Sequence, residues 1–416
     1  MTVTTEGLKV QLVDVLRSGS IRTMFQPIVD LASQKVVAVE ALSRGPVGTA
    51  LEQPDALFAA AAASGRTLQL DQLCIKRAMR AARSVNKDLG VFINAEPRTL
   101  AHLSTARLLA GLDDQLVVEV TERHLANDPA GVLRCLEHVR AIGAGVALDD
   151  LGADPTSTAF LVFVQPDIIK LDMALIQGRP SELIGQVATA VMAHAERTGA
   201  VILAEGIETE QQHRRALALG AVLGQGYLFG RPRSAVPDAT NTRLGSWRGV
   251  RAPATPELGE TTPFRALQER GVTTRIADIA LLLEISKHIE AQAGRQSDLV
   301  LLSAFQDADR FTPQTGHRYE RLAQRLPFVA ALGVGLSPSP AVGVRGAALR
   351  DDDPLRGEWA VIALSPHYSG ALIARDLGDQ GPRLQRRFEY AVTHDRGLVT
   401  AAALATMKRV NSAALR

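Results

Sequence analysis

Cysteine is nearly missing from this 416-residue chain, which has only Cys74 and Cys135. They lie far apart and in no metal-ligand spacing, so a disulfide framework is excluded and a reducing compartment is the default. A surplus of charge of one sign is missing as well. The 46 Lys and Arg face 44 Asp and Glu, for a net charge of +2, which excludes a polycation and the footprint of a nucleic-acid binder. Lysine itself is confined to Lys9, Lys35, Lys76, Lys87, Lys170, Lys287 and Lys408. No apolar run reaches the ~18 uncharged residues of a membrane-spanning helix; the longest, Ile279–Leu283 and Leu299–Ala304, are of core size. The first residues, MTVTTEGLKV, have neither a basic start nor an apolar stretch, so no secretory signal is expected. A soluble, cytoplasmic protein without a membrane span is the expectation. Apolar residues make up 46% of the chain, the globular norm, and the length suggests two or three domains.

The stretch from Pro232 to Pro263 is rich in Pro, Gly, Thr and Ser and has no apolar periodicity. It reads as a linker, dividing the chain into residues 1–236, a linker over 237–263, and residues 264–416. The first part has the size of one α/β barrel. Its strand-like runs are Met24–Val29, Lys35–Ala41, Gly90–Asn94, Leu116–Val120, Gly145–Leu148, Ile168–Leu171, Ala200–Ala204 and Val222–Phe229. Helical patterns fall between them, at Pro54–Ser64, Leu70–Val85, Pro129–Ala141 and Glu182–Thr198. Near-continuous apolar strands alternating with helices predict a mostly parallel sheet covered on its outer face. Only Asp30–Gln34 separates the first two runs, too little for a crossover helix, so these two should pair antiparallel. The fold class is α/β, a modified TIM (β/α)8 barrel with one antiparallel strand. A smaller α/β domain follows, read as a helix (Val272–Ala293), a strand (Asp298–Phe305), a helix (Arg318–Leu326), strands at Phe328–Gly335, Glu358–Leu364 and Ser369–Ala374, and a closing helix from about Leu384 to Val410.

Polar residues recur where the barrel strands end. Glu40 falls in VVAVEALSR, Asn94 ends GVFIN, and Glu119 falls in LVVEVTE with Glu122 three residues on. Asp149 and Asp150 end GVALDD, Lys170 falls in DIIKLD, Glu205 ends VILAE with Glu208 after it, and Gln225 sits in GQGY. One acid after a strand is ordinarily a turn or a helix cap. Seven successive strands that each present an acid, amide or ammonium, at the barrel end that carries function, need another explanation. Converging carboxylates repel and raise one another's pKa unless a cation is present. An oxygen-only set with no His or Cys points to Mg²⁺ or Mn²⁺ rather than zinc. Adjacent Asp149 and Asp150 suggest a ligand shared between two metals, the arrangement that serves phosphoester hydrolysis.

FQPIVD, EALSR, FINAEP, VVEVTE, DDLG, IIKLD, AEGIE and GQGYLFGRP resemble, in order and spacing, the EAL-domain family of cyclic-di-GMP phosphodiesterases, over about residues 7–236. The resemblance implies a modified TIM barrel that hydrolyses cyclic di-GMP to linear pGpG with two metal ions. It implies that Glu40, Asn94, Glu119 and Asp149 hold one metal, and that Asp149, Asp150 and Glu205 hold the second. Lys170 would orient the attacking water, with Glu205, Glu208 and Gln225 beside it in catalysis. Gln26, Leu42, Arg44 and Asp71 match substrate-contacting positions, and Arg44 suits phosphate by its planar donor fork. Glu122 would anchor the loop after the paired aspartates, and a homodimer through the barrel is implied.

That loop departs from the family pattern. It reads DDLGADPTS where DDFGTGYSS is usual, so Leu151 stands for Phe, Asp154 for Gly and Pro155 for Tyr. Losing glycine and gaining proline restricts the backbone, which bears on turnover and regulation rather than on ligand identity. The strings DADRFTPQTGHRYERLA and GVRGAALRDDDPLRGEWAVIALSPHYSGALIARDLGDQGP resemble the DICT sensory domain, over about residues 265–410. The resemblance implies an unidentified signal or protein partner there. His317, His367 and His394 have no ligand spacing and read as surface or hydrogen-bonded groups. Asp351–Asp353 reads as a solvated turn, Trp359 as core, and both cysteines as buried thiols on amphipathic helices. GGDEF, the cyclase signature, does not occur. The leading expectation is a phosphodiesterase tuned by its second domain; the alternative is a slow or inactive barrel that acts as a cyclic-di-GMP receptor.

Overall fold

The computed structural model describes residues 5–100, 109, 115–152, 156–236, 261–379 and 385–411. Eight strands come first: β1 (Arg22–Asp30), β2 (Val36–Arg44), β3 (Gly90–Asn94), β4 (Leu116–Thr121), β5 (Gly145–Leu151), β6 (Ile168–Leu171), β7 (Val201–Ala204) and β8 (Leu223–Gln225). They close into a barrel in chain order. As the short Asp30–Gln34 connection predicts, β1 is the antiparallel member, pairing with both β2 and β8, while the other neighbours are parallel. Asp30 Oδ1 accepts from Ser33 N at 2.7 Å to hold that turn.

Residues two apart on a strand share a face, and this sets the barrel's layers. Ile28, Ala38, Phe92, Val117, Ala147, Ile168, Leu203 and Leu223, one from each strand, belong to one buried cluster that also takes in Val37 of β2. Two positions further along β2 to β8 stand Glu40, Asn94, Glu119, Asp149, Lys170, Glu205 and Gln225. On β1, which runs the other way, the counterpart is Gln26, paired in register with Glu40. The apolar layer is therefore a floor, and the polar residues form the next layer at the carboxyl ends of the parallel strands, where barrels keep their sites. Glu40 lies inside its strand rather than at the end, because β1 pairs with β2 as far as Arg22 with Arg44.

The outer helices Pro129–Ala141 and Glu182–Thr198 occupy the predicted spans. Asp128 and Ser181 cap their first turns, and Gly199, at φ 74°, ends the second. Burial pushes the thiols of Cys74 and Cys135 up to about 12, so both are inert hydrophobes. No helix among the described residues is long and apolar enough to cross a membrane.

The second domain holds a seven-stranded sheet of β9 (Arg275–Asp278), β10 (Val300–Asp307), β11 (Phe328–Val334), β12 (Arg345–Leu349), β13 (Glu358–Leu364), β14 (Ser369–Asp376) and β15 (Arg387–Thr393), in the order β12-β11-β10-β13-β14-β15-β9. Here several expectations are corrected. The helix expected from Val272 starts only at Ile279, capped by Asp278, because Arg275–Asp278 instead adds a strand to β15. The long closing helix is two elements. RFEYAVT alternates and is rich in aromatic and β-branched residues; it pairs with β14, and the helix is Arg396–Met407. The helix expected over Arg318–Leu326 begins at Pro313, with Thr312 as its cap. Asp353 is no solvated residue: Arg409 Nε lies 3.0 and 2.9 Å from its two oxygens, and its side chain caps the turn after it. Trp359 is half-buried, edge-on to Phe388 at 5.6 Å. Most of the linker span 237–263 lies outside the described residues; its last residue, Pro263, opens the helix Pro263–Glu269.

The barrel's outer apolar layer runs without a break into the second domain, through Phe160, Leu161 and Phe163 on one side and Phe328, Leu398 and Val399 on the other. Polar contacts flank it: Arg197 Nη2 donates to Pro366 O at 2.8 Å, Ala130 N donates to Val410 O at 3.1 Å, and Lys408 pairs with Glu137.

Glu358 shows how buried charge tunes this second domain. It is 5% exposed, accepts from Thr262 Oγ1 and, at 2.9 Å, from Phe264 N. Burial lifts its carboxyl to about 7, the two hydrogen bonds offsetting only part of the effect. An acid raised in the folded state favours folding while protonated, so this contribution is whole below pH 4.5 and is gone above pH 7. Glu358→Gln is expected to leave Tm unchanged near pH 4.5 and to raise it at pH 8, by roughly 2–4 °C per kcal/mol relieved. Calorimetry at the two pH values checks this, and an equal effect at both would refute it.

Candidate active site

Lys170 is the hub of the polar layer. Its side chain is 1% exposed, and Nζ lies 2.7 Å from Glu119 Oε1, 2.8 Å from Asp149 Oδ1, 2.8 Å from Glu205 Oε1 and 3.9 Å from Glu40 Oε1. Burial alone would depress the ammonium, but Asp149 and the other three carboxylates outweigh it and hold it well above the usual lysine range. One cation thus faces four acids, and negative charge is in excess.

The acids respond differently. Burial pushes Glu40 upward, but the Lys170 charge and the amides of Gln225 and Asn94 prevail and hold it below the ordinary range. Gln225 Nε2 donates to Glu40 Oε2 at 2.7 Å and Asn94 Nδ2 to Oε1 at 2.9 Å, so both Glu40 oxygens are used. Gln225 also donates to Gln26 Oε1 at 3.1 Å. Glu119 goes the other way: burial, with repulsion from Glu40 and Asp149, raises it well above its ordinary value. Its Oε2 is buried with no hydrogen-bond partner. Burial lifts Glu205 to about 8, Lys170 offsetting part while Asp149 and Glu40 add to the rise. Asp150 is raised by burial and by Asp149 beside it.

Asp149, Asp150 and Glu205 each bring a carboxylate oxygen within 4.8 Å of the other two. Asp150 reaches this position with φ 58°, a left-handed conformation that costs a non-glycine residue energy, and its amide donates to Asp149 Oδ1 at 3.0 Å. Gly152 follows at φ 98°, where a Cβ would come 2.4 Å from Leu175 Cδ1, so glycine alone fits. A buried, unpartnered carboxylate oxygen, an excess of acids and an oxygen-only donor set all fit hard divalent cations.

Leu42, Arg44 and Asp71 line a groove of about 310 Å³ together with Asn94 and Glu119. Asp71 is buried, and its Oδ2 accepts from Glu96 N at 2.9 Å, which fixes the segment leaving β3. Arg44 Nη1 donates to Ser43 O at 2.9 Å. Gln26 stands outside this groove, tied through Gln225 to Glu40. Glu208 is not drawn in: it lies exposed just before the helix Glu210–Ala218, its amide bonded to Gln212 Oε1. Glu122 opens the helix Glu122–Asn127, and its side chain lies outside the described residues. Of the altered loop, Leu151 is fully buried, while Asp154 and Pro155 lie outside the described residues. Ser157 was not legible as a site residue, yet its Oγ accepts from Gly152 N at 3.0 Å, which closes the loop behind Asp150. No local pattern marks it, since the bond exists only once the chain has turned back. His317, His367 and His394 are exposed, and two of them bond to Glu320 and Ser369 O.

Comparison with known proteins places this geometry. Residues 9–232 match the EAL domain family, and residues 265–377 match the DICT domain, a sensory domain in diguanylate cyclases and two-component systems. The chain is similar to the cyclic di-GMP phosphodiesterase NbdA of Pseudomonas aeruginosa, 32% identical over 235 residues, covering 53% of this chain and 30% of that protein. It is similar to the probable cyclic di-GMP phosphodiesterase PdeB of Escherichia coli, 29% identical over 238 residues, covering 53% and 44%. The solved complex of Klebsiella pneumoniae BlrP1 with manganese and cyclic di-GMP at pH 6 is 28% identical, covering 53% of this chain and 58% of that one, with a TM-score of 0.48. The chain spans less than half the length of these two curated relatives. The matched stretch takes in more than half of the chain and every acid around Lys170, and by that measure the chain belongs to the EAL domain family.

Proposed function

We propose that the barrel is a phosphodiesterase that opens cyclic di-GMP to linear pGpG with two divalent cations, Mg²⁺ or Mn²⁺, in a cytoplasmic protein. The observation that carries this is the set of four carboxylates around one buried lysine, with a Glu119 oxygen left unpartnered. Glu40, Asn94, Glu119 and Asp149 would hold one cation, and Asp149, Asp150 and Glu205 the other. Bound there, the cations would supply Lewis acidity and neutralise charge on the phosphodiester. Lys170 holds three acids converged and presents a cation beside the charge that gathers in the transition state. Gln225 and Asn94 keep Glu40 ionised and aimed. Arg44, at the mouth of the groove, suits a phosphate oxygen of the substrate; Leu42 suits a base. Glu208, exposed in this structure, would have to act from outside the cluster, and Glu122 leads the segment that follows Glu119. Residues 1–236 would form the catalytic unit, 237–263 a linker, and 264–416 a sensory unit that tunes it; a homodimer through the barrel belongs to the same reading.

The test is incubation of the full chain with cyclic di-GMP, reading pGpG by chromatography. Product is expected with Mn²⁺ or Mg²⁺ and none with a chelator. Excess Ca²⁺ is expected to inhibit, since its larger radius and irregular coordination spoil in-line geometry. The substituted loop DDLGADPTS favours one rival outcome: tight nucleotide binding with no pGpG would make the chain a receptor.

A further inference from the structure

We propose that Arg345 and Phe328 of the second domain are positioning residues for the metal-binding carboxylates of the barrel; this rests on the two-cation reading above. Two segments leave the metal site. One follows Glu119 along β4 into the helix Glu122–Asn127. The other follows Asp149 and Asp150 into the turn Ser157–Phe160 and the helix Leu161–Val164. Within the barrel these segments adjoin, since Thr121 pairs in register with Asp149.

The two segments end on two adjoining side chains of the second domain, the first on Arg345 and the second on Phe328. Arg345 Nη2 donates to Ala126 O and Nη1 to Asn127 O, each at 3.1 Å, with a longer contact of Nη1 to Asn411 O at 3.4 Å. Ala126 and Asn127 carry the last carbonyls of the first segment's helix, the end that a cation stabilises. The same guanidinium lies over the Phe328 ring, 6.0 Å from its centroid. Phe328 in turn meets Phe160 of the second segment edge to face, at 6.1 Å. The turn that holds Phe160 starts at Ser157, whose hydroxyl takes the Gly152 amide two residues past Asp150. Residues 157–164 are buried throughout, with the helix Arg396–Met407 packed on them. A guanidinium and a ring from outside the barrel thus clamp the exits of both halves of the metal site.

These two contacts exist only while the second domain is docked. Docking and metal affinity are therefore linked, and linkage is reciprocal: cations bind the docked form more tightly and strengthen docking in turn. Groups bonded directly to metal ligands change metal affinity or activity by about 10–100-fold when lost; Arg345 and Phe328 act through intervening residues, so the lower end of that range bounds their effect.

The experiment is calorimetric titration of the full chain with Mn²⁺ alone, alongside steady-state turnover of cyclic di-GMP. Arg345→Met keeps the bulk of the side chain and removes the cap. It is expected to weaken Mn²⁺ binding several-fold, up to about 10-fold, and to lower kcat, with KM for the nucleotide within about twofold. Arg345→Lys, able to keep one of the two carbonyl bonds, recovers part of the loss. Phe328→Leu, which keeps an apolar side chain there but removes the ring that meets Arg345 and Phe160, shifts Mn²⁺ affinity in the same direction. Arg197→Gln breaks a different contact between the domains, the bond to Pro366 O; the apolar layer keeps the domains docked and the Arg345 and Phe328 contacts intact, so Mn²⁺ affinity stays unchanged. The proposal is overturned if Arg345→Met lowers Tm but binds Mn²⁺ like the wild type, or if Arg197→Gln weakens Mn²⁺ as much. Wild type that binds Mn²⁺ but makes no pGpG overturns the phosphodiesterase reading instead, and the titration still decides the role of Arg345.

Discussion

Asp149→Asn is expected to lower pGpG formation by about 10²–10³-fold while leaving the barrel folded. The new side chain keeps an oxygen for the Asp150 amide, now 3.0 Å from Asp149 Oδ1, so the strained turn after it has no reason to move. What it loses is the negative charge shared by the two groups of ligands. The variant should also separate function from stability. Four acids crowd one lysine, and Glu119 and Glu205 are both raised by burial and repulsion. Carboxyls raised in the folded state support folding below their unfolded values and lose that contribution as pH climbs through the folded ones, for Glu205 about 8. Metal-free wild type is therefore expected to lose Tm between pH 5 and pH 9, and metal-free Asp149→Asn to lose less. Mn²⁺ should raise the Tm of the wild type far more than that of the variant, by the linkage of ligand binding to folding. Chromatography of the product and calorimetry in both metal states check this. Turnover at the wild-type rate would remove Asp149 from the metal site.

Lys170→Met is expected to fail in a different way. Removing the ammonium leaves the carboxylates of Glu119, Asp149 and Glu205 without a partner that now lies within 2.8 Å of each. Breaking a buried charge cluster at one member costs about 3–5 kcal/mol, so the metal-free variant should be much less stable. Cations can replace the missing charge, and saturating Mn²⁺ should restore most of the lost Tm. It should not restore the rate. A fixed cation beside the reacting phosphate matters most in the transition state, and its loss is expected to lower kcat by about 10²–10³-fold with KM within a few-fold. If Mn²⁺ restores both Tm and kcat, Lys170 only holds the acids together.

Much of the barrel was legible because its information is local. A buried strand announces itself by a short apolar run, and Gly90–Asn94 and Ile168–Leu171 are read to the residue. The site was legible for the same reason: alternation alone places Glu40 two residues beyond Ala38 and Lys170 two beyond Ile168. The second domain resisted the same reading. Arg275–Asp278 is exposed and belongs to a strand only because β15 accepts it, and RFEYAVT could be taken for a helix until β14 gives it a partner.

Residue type and spacing, on their own, decided which groups face the barrel's interior and that their chemistry is oxygen-rich and anionic, since a strand's two-residue period acts on nearest neighbours. Four matters were settled only by the fold. The division of the acids into a depressed Glu40 and a raised Glu119 depends on which atoms sit within hydrogen-bond reach of Lys170, Gln225 and Asn94. Glu208, one turn from Glu205 in sequence, is left exposed outside the cluster. Asp353 found its partner in Arg409, just past the end of the last helix. Arg345 found its own in Ala126 and Asn127. The Asp353 contact forms within the second domain and the Arg345 contacts only when the two domains pack, and no local pattern encodes which distant pair will meet.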